Sequence, residues 1–292
     1  MRAATHSGSF HADEVFAIAV LGLVHDDLDV VRTRDKEVLA AADLRVDVGH
    51  AFDPATGDFD HHQRGGAGAR PNGIRYASFG LVWREYGERA CGDDAEVAAL
   101  VDESLVQGVD ANDTGQTIAT PLVDNVAAMS VSGVIGGFNP TWEEPDDDAT
   151  IDARFARAVD LARGILQREI AGAAATARAQ RIVAEAVTTS SDPRVVELDR
   201  SLPWHRAVHA HAPEALYVVL PKSSGWGVQA VPAVLGQFAN RRDLPEAWAG
   251  LEGTALQEVT GVPDAAFCHS GRFLAVARSR EGAMALARLA LA

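Results

Sequence analysis

The feature that most restricts this chain lies near its start. Short apolar runs stop at a histidine or an aspartate, and helical patterns separate them. Residues 3–5 predict a strand ending at His6; residues 29–32 and 44–48 predict two more, the last enclosing Asp47. Residues 12–24 carry Val15, Ile18, Ala19, Leu21 and Leu23 at helical spacing, and residues 35–41 predict a second, shorter helix. Strands alternating with helices build an α/β fold around a mostly parallel sheet. In an open sheet of this kind, ligands bind beyond the carboxyl ends of the strands. His6 and Asp47 stand at such ends, so side chains from separate strands are expected to converge there.

Downstream, amphipathic helices are expected at residues 78–86 and 93–107, the second capped by its leading aspartates. The Gly-rich stretch 65–73 reads as a loop and lacks the Lys-Ser/Thr of a phosphate-binding P-loop. An Ala/Arg-rich helical pattern over 148–187 is expected to be interrupted at Gly164 and Gly172, with a linker at 188–193. Strands at 216–221, 226–232 and 273–277 and a helix from Arg280 then describe a smaller α/β domain. The expected organisation is therefore a larger α/β domain with connector helices over 1–190 and a second domain over 191–292.

The 292 residues carry 26 basic and 41 acidic side chains, a net charge of −15, which argues against a broad basic surface for nucleic acid. The charge is uneven. Residues 1–62 hold five basic and twelve acidic side chains, residues 141–152 hold six acidic and none basic, and residues 195–292 hold nine of each. There is no apolar run long enough to span a bilayer and no signal-peptide pattern at the start, so a cytoplasmic location away from membranes is expected. Two cysteines, Cys91 and Cys268, are too few for a disulfide framework or a Cys-based zinc site.

Four short stretches carry the chemistry: His6-Ser-Gly-Ser-Phe-His11-Ala-Asp13-Glu14, Asp47-Val-Gly, Asp60-His61-His62, and Asp110-Ala-Asn-Asp113-Thr-Gly115. Imidazole and carboxylate without thiolate suit Mn²⁺, and less selectively Mg²⁺, Co²⁺ or Zn²⁺. Each stretch alone has a plainer reading. Asp13 could be capping a helix, Asp47 a turn, and a His-His pair is commonly a surface feature. Their order on strand ends favours a metal site. Six candidate ligands, His6, His11, Asp13, Asp47, His61 and Asp113, exceed the needs of one open site but suit two ions about 3.5–4 Å apart. His25 reads as a surface residue after a helix, and His50 as solvent-facing or supporting the site. His205, His209 and His211 read as a solvated helix face.

Together these stretches resemble the DHH phosphoesterase superfamily. With DVG followed by FDP, FDHHQ, YASFGLVW, VDANDTG, WGVQAVP, WAGL and FCHSGRF, the resemblance narrows to the MYG (melanocyte-proliferating-gene) family and covers nearly the whole chain. It implies a metal-dependent 3'-5' exoribonuclease with its site between two domains. By the same resemblance His6, His11, Asp13, Asp47, His61 and Asp113 are ligands, with Asp47 bridging and Asp110 the alternative to Asp113. Asp60 would orient the histidine pair, and His62 would face the substrate phosphate. The second domain would grip substrate through His269, Gly271 and Arg272, a stretch that read alone is equally a plain β-turn. Two departures from the superfamily pattern are visible. The first motif is one residue longer, with His11 where an aspartate is usual, and the second-domain motif lacks the usual glycine run.

The expected function is thus a phosphodiesterase acting on single-stranded RNA or short oligonucleotides with two divalent ions, Mn²⁺ first. Hydrolysis of a small phosphoanhydride or nucleotide second messenger is the alternative. A non-catalytic metal- or RNA-binding module is the non-enzyme alternative. Homo-oligomer formation stays open.

Overall fold

A computed structural model describes every residue except Ala127. The elements follow in the order β1 (Arg2–Thr5), α1 (Ala12–Val24), β2 (Asp29–Arg32), α2 (Lys36–Ala41), β3 (Leu44–Val46), β4 (Phe52–Asp53), β5 (Asp58–Phe59), α3 (Ser78–Ala90), α4 (Ala95–Val101), α5 (Gln107–Asp113), α6 (Val131–Gly136) and α7 (Asp148–Thr189). After them come β6 (Val195–Glu197), α8 (His205–His211), β7 (Tyr217–Lys222), β8 (Gly225–Ala230), α9 (Gly253–Thr260), β9 (Ala265–Cys268), β10 (Leu274–Ala277) and α10 (Arg280–Leu291). The chain divides into two compact units, Met1–Ala174 and Ala175–Ala292, so α7 contributes to both.

The first unit holds a sheet in the order β2-β1-β3-β5-β4, parallel except for the β4–β5 hairpin. The mostly parallel α/β fold expected from the sequence is therefore present. Helix α1 is apolar nearly all round, as a helix buried on most sides should be. It packs on α3, where Phe16 stacks on Phe79 with ring centroids 5.2 Å apart, and Val15, Ile18, Leu21, Leu81 and Val82 complete the core. Fully burying side chains of this size contributes roughly 1.5–3 kcal/mol each. The tight β4–β5 hairpin depends on Gly57, at φ +80°, where a Cβ would run into the Asp43 carbonyl.

Three local expectations are corrected. The third strand stops at Val46, because Asp47 turns to φ +56°, with its amide making a last bond to the Phe59 carbonyl at 3.1 Å. Helix α7 runs unbroken for 42 residues through Gly164 and Gly172. Open space surrounds both glycines, and the flanking Ala, Arg and Leu favour helix strongly enough to outweigh about 1 kcal/mol per glycine. The helix expected over 93–107 instead has three parts. Asp94 caps α4, a π-helical turn follows over Asp102–Val106, and α5 continues to Asp113. Single π-turns rotate the helix face downstream of them and recur at functional sites.

The second unit is a sheet in the order β6-β7-β8-β10-β9, antiparallel except for β6–β7. Alternate residues of β7 serve two cores. Tyr217 and Val219 pack with Val228, Leu256 and Leu286, whereas Val218 and Leu220 pack with Trp204 and Val208. Among the described residues, no helix is long and apolar enough to cross a membrane.

Candidate metal centre

The carboxyl ends of β1, β3 and β5 deliver His6, Asp47 and the Asp60-His61-His62 run to one cavity of about 460 Å³ in the first unit. The start of α1 adds His11 and Asp13, and the end of α5 adds Asp113. Asp47 is the hub. Its carboxylate lies 3.4 Å from His6 Nε2, 3.6 Å from His61 Nδ1 and 3.3 Å from His62 Nδ1, and it accepts a hydrogen bond from Ser78 Oγ at 3.2 Å. His50, like Asp47, is a non-glycine residue at positive φ, and Gly49 lies between them at φ +106°. Such strained turns persist where surrounding structure holds them and are frequent at functional sites.

Three sets of donor atoms form, each within 4.8 Å: His6, His11, Glu14 and Asp47; Asp47, Asp60, His61 and His62; and Asp13, His61 and Asp113. Asp47 belongs to two sets and His61 to two. All six ligands expected from the sequence fall in these sets. Asp60 and His62 are themselves members of the second set.

Asp110 does not join. It is fully buried, accepts from Arg70 Nη1 at 2.7 Å and from the Gly80 amide at 2.9 Å, and Arg70 also binds Asp102. Burial raises its carboxyl to about 7, with Arg70 and the Gly80 amide pulling the other way. A side chain at Gly80 would collide with this carboxylate, so the glycine is what lets Asp110 reach the start of α3. Asp113 is the one that faces the histidines, 3.2 Å from His61 Nε2.

Asp13 has two tasks. Its oxygens accept the amides of Ser78 at 2.9 Å and Phe79 at 2.7 Å, which caps α3 from a distant part of the chain. One of those oxygens also lies 3.8 Å from His61 Nδ1. Burial, then repulsion from Asp47, Asp113 and Asp110, drives the Asp13 carboxyl well above the ordinary range.

Burial alone would also raise Asp47. Hydrogen bonds from His6 and His62 more than reverse this and hold it far below the usual carboxylate range. Burial opposes charge on His6, yet Asp47 and Glu14 raise it to about 10. The carboxylates around His6 thus favour positive charge in the cavity, whether from a proton or from a bound cation.

Two residues of the centre were not singled out in the sequence. Glu14 is fully buried, 3.1 Å from His6 Nε2, and its Oε2 is a buried oxygen without a hydrogen-bond partner. Its other oxygen accepts the His11 amide at 2.9 Å. A Glu three residues after a helix N-cap is an ordinary capping box, which hides any second use. Ser78 was visible only as the start of a helix. Its hydroxyl lies 3.2 Å from both Asp47 Oδ1 and His61 Nδ1.

Divalent cations fit this donor set. Three carboxylates repel across a small space, a buried carboxylate oxygen lacks a partner, and imidazoles point at both sides of Asp47. His50 lines the cavity and its backbone amide donates to Asp60 at 2.7 Å. His25 lies instead beside Tyr86, with ring centroids 5.7 Å apart.

In the second unit, His269, Gly271 and Arg272 make the turn of the β9–β10 hairpin. The Arg272 amide donates to the His269 carbonyl, the Gly271 amide donates to His269 Nδ1 at 2.9 Å, and the Arg272 guanidinium is 3.1 Å from Asp243. The plain-turn reading of this stretch describes its backbone. Of the second-unit histidines, His205 stacks on Trp204 with ring centroids 3.8 Å apart.

Comparison with known proteins gives the family. The family model MYG1_exonuc, described as Uncharacterised protein family (UPF0160), matches residues 2–291. MYG1 exonuclease of Homo sapiens is 33% identical over 324 residues, spanning 100% of this chain and 86% of the human protein. MYG1 protein YER156C of Saccharomyces cerevisiae is 32% identical over 321 residues, spanning 99% of this chain and 95% of the yeast protein. Among solved structures, a pGpG-specific phosphodiesterase, PggH of Vibrio cholerae, aligns over 99% of this chain and 98% of its own at 13% identity. Its TM-score of 0.34 is too loose to build on. By the family model and by full-length relatives above 30% identity, the chain belongs to the MYG1 family.

Proposed function

We propose that this hydrolase is a 3'-5' exonuclease acting on single-stranded RNA or short oligonucleotides in the cytoplasm, and that it uses two divalent cations, Mn²⁺ foremost. The coarser part, a metal-dependent phosphodiesterase or nuclease, follows from family membership together with the His/Asp donor sets. The observation that carries the reading is the sharing of Asp47 and His61 between overlapping sets. His6, His11, Glu14 and Asp47 would hold one ion; Asp13, Asp47, His61 and Asp113 would hold the other. Bound divalent cations supply Lewis acidity toward a phosphoryl group and ease the deprotonation of water at neutral pH.

The protein's own groups do the rest. Asp60 accepts the amides of His50 and His62 and takes His62 Nδ1 at 2.8 Å. With Nδ1 so engaged, Nε2 is the atom left to meet substrate. His62 is 52% exposed in its side chain, and its hydrogen bond to Asp47, opposed by burial and aided by Asp60, raises it to about 9. The carboxylates around it thus favour a proton on the ring, a bias that cations held by Asp47 would weaken. That proton can bind a phosphoryl oxygen or pass to the leaving oxygen. Asp60 is a positioning residue that fixes the ring.

The test is a panel of single-stranded RNA, dinucleotides, pyrophosphate and a chromogenic phosphodiester, with Mn²⁺, Mg²⁺ or chelator, on wild type and Asp47→Ala. Metal-dependent cleavage of diesters that is lost in the variant is expected. Cleavage that survives both chelator and substitution contradicts the reading. Pyrophosphate turnover without diester cleavage would select the phosphoanhydride alternative.

A further inference from the structure

We infer that Arg34 grips a phosphate of the substrate beside the metal centre, an assignment that rests on the phosphodiesterase reading. The cavity that holds His6, Asp47 and Asp113 is lined by several carboxylates but, among the described residues, by a single cationic side chain of the Lys or Arg type, Arg34. An exposed arginine beside Asp13, Asp47, Asp60 and Asp113 would be drawn into an ion pair if its geometry allowed one. Arg34 has no such partner and no hydrogen-bond partner among the described residues.

Its near neighbour shows the contrast. Arg32 is only 3% exposed in its side chain, pairs with Asp152 at 2.9 Å, donates to the Gly8 carbonyl and lies over the Phe155 ring at 4.6 Å. Arg32 is committed to the fold. Arg34, two residues on, leaves all five of its N–H donors for something else.

The backbone under Arg34 is fixed on both sides. The Thr33 amide donates to the Thr5 carbonyl at 2.7 Å, which ties this segment to the end of β1, next to His6. The Asp35 amide donates to Thr33 Oγ1 at 3.0 Å, and Asp35 in turn caps α2 by accepting from Glu37 and Val38. Only the side chain has to be ordered when a ligand arrives, which keeps the entropy cost small. Ser132 lines the same cavity, and its Oγ is buried without a partner, a second donor without an assigned acceptor. A planar guanidinium in such a place matches the two oxygens of a phosphate in a way a lysine cannot. The ligand class is the phosphoryl group of a nucleotide, in substrate or in monophosphate product.

The experiment uses full-length wild type, Arg34→Ala, Arg34→Lys and, as an exposed-arginine control away from the cavity, Arg157→Ala. Two readouts are taken with Mn²⁺ present: KM and kcat for a 5'-phosphorylated ribodinucleotide, and calorimetric binding of adenosine 5'-monophosphate. Arg34→Ala is expected to raise KM about tenfold or more, the size of a lost charge-assisted pair of hydrogen bonds, and to weaken monophosphate binding by a similar factor. Its kcat should move much less. Arg34→Lys should fall between, and Arg157→Ala should match wild type.

Unchanged KM and unchanged monophosphate binding in Arg34→Ala would overturn the assignment, as would a loss confined to kcat. If wild type cleaves no diester with any metal, the phosphodiesterase reading fails by itself. Monophosphate binding in wild type against Arg34→Ala then decides the phosphate grip alone.

Discussion

The two sheets of this protein have the same number of strands and treat charge in opposite ways. In the first unit His6, Asp13, Glu14, Asp47, Asp60, Arg70 and Asp110 are all buried. Among the described residues of the second unit no charged side chain is buried to that degree, and its two cores are built from Val, Leu, Ala, Tyr, Trp and Cys268. Burying charge costs free energy unless partners compensate, and here the compensation is incomplete. The first unit therefore tolerates an unfavourable arrangement that the second avoids. The surplus carboxylates are what a cation would neutralise, and the arrangement of the parallel strands, with β1, β3 and β5 all ending at one edge, is what gathers them.

The contrast can be broken most sharply at α5. Asp113→Ala, which removes a proposed metal ligand, should lower metal-dependent turnover by at least about 10–100-fold, the cost of losing even a residue that only supports a ligand, while changing stability little. Steady-state assays beside thermal melts will check it. Asp110→Ala should do the reverse in kind, destabilising the fold by about 3–5 kcal/mol because Arg70 is left buried with one partner fewer. Urea denaturation measures this, and a stable Asp110→Ala protein that lacks metal binding would reverse the two assignments. Leu256→Ala, in the apolar core of the second unit, should cost about 2–5 kcal/mol. Metal uptake by the protein that remains folded should be unchanged. The smallest effect is expected at Gly164→Ala, where open space surrounds the position and the helix should gain roughly 0.5–1 kcal/mol.

Much of this could be read from the sequence. Helix α1 and strand β2 fall at their expected bounds, because residues 12–24 carry a strong helical pattern and residues 29–32 are framed by polar turns. Strand β3 came out two residues short of its expected end. Val48 continues the apolar run, and no local signal reports that Asp47 turns to positive φ. The choice of Asp113 over Asp110 depends on Arg70, which is 40 residues away in sequence from its carboxylate partner. Pairings that distant leave no periodic trace. The glycines of α7 look like breakers in a one-dimensional reading, yet a long helix of good helix formers absorbs them. Glu14 was masked by its other role as a helix cap, and Arg34 by standing two residues from an arginine that is structural.

The central claim is that Asp47 joins two cation sites. It is tested most directly by counting Mn²⁺ ions bound per chain, by equilibrium dialysis with elemental analysis, in wild type and Asp47→Ala. The account predicts two tightly bound ions in wild type and the loss of at least one of them in the variant, with turnover falling alongside. Equal ion counts in the two proteins, or full turnover by Asp47→Ala, would contradict it.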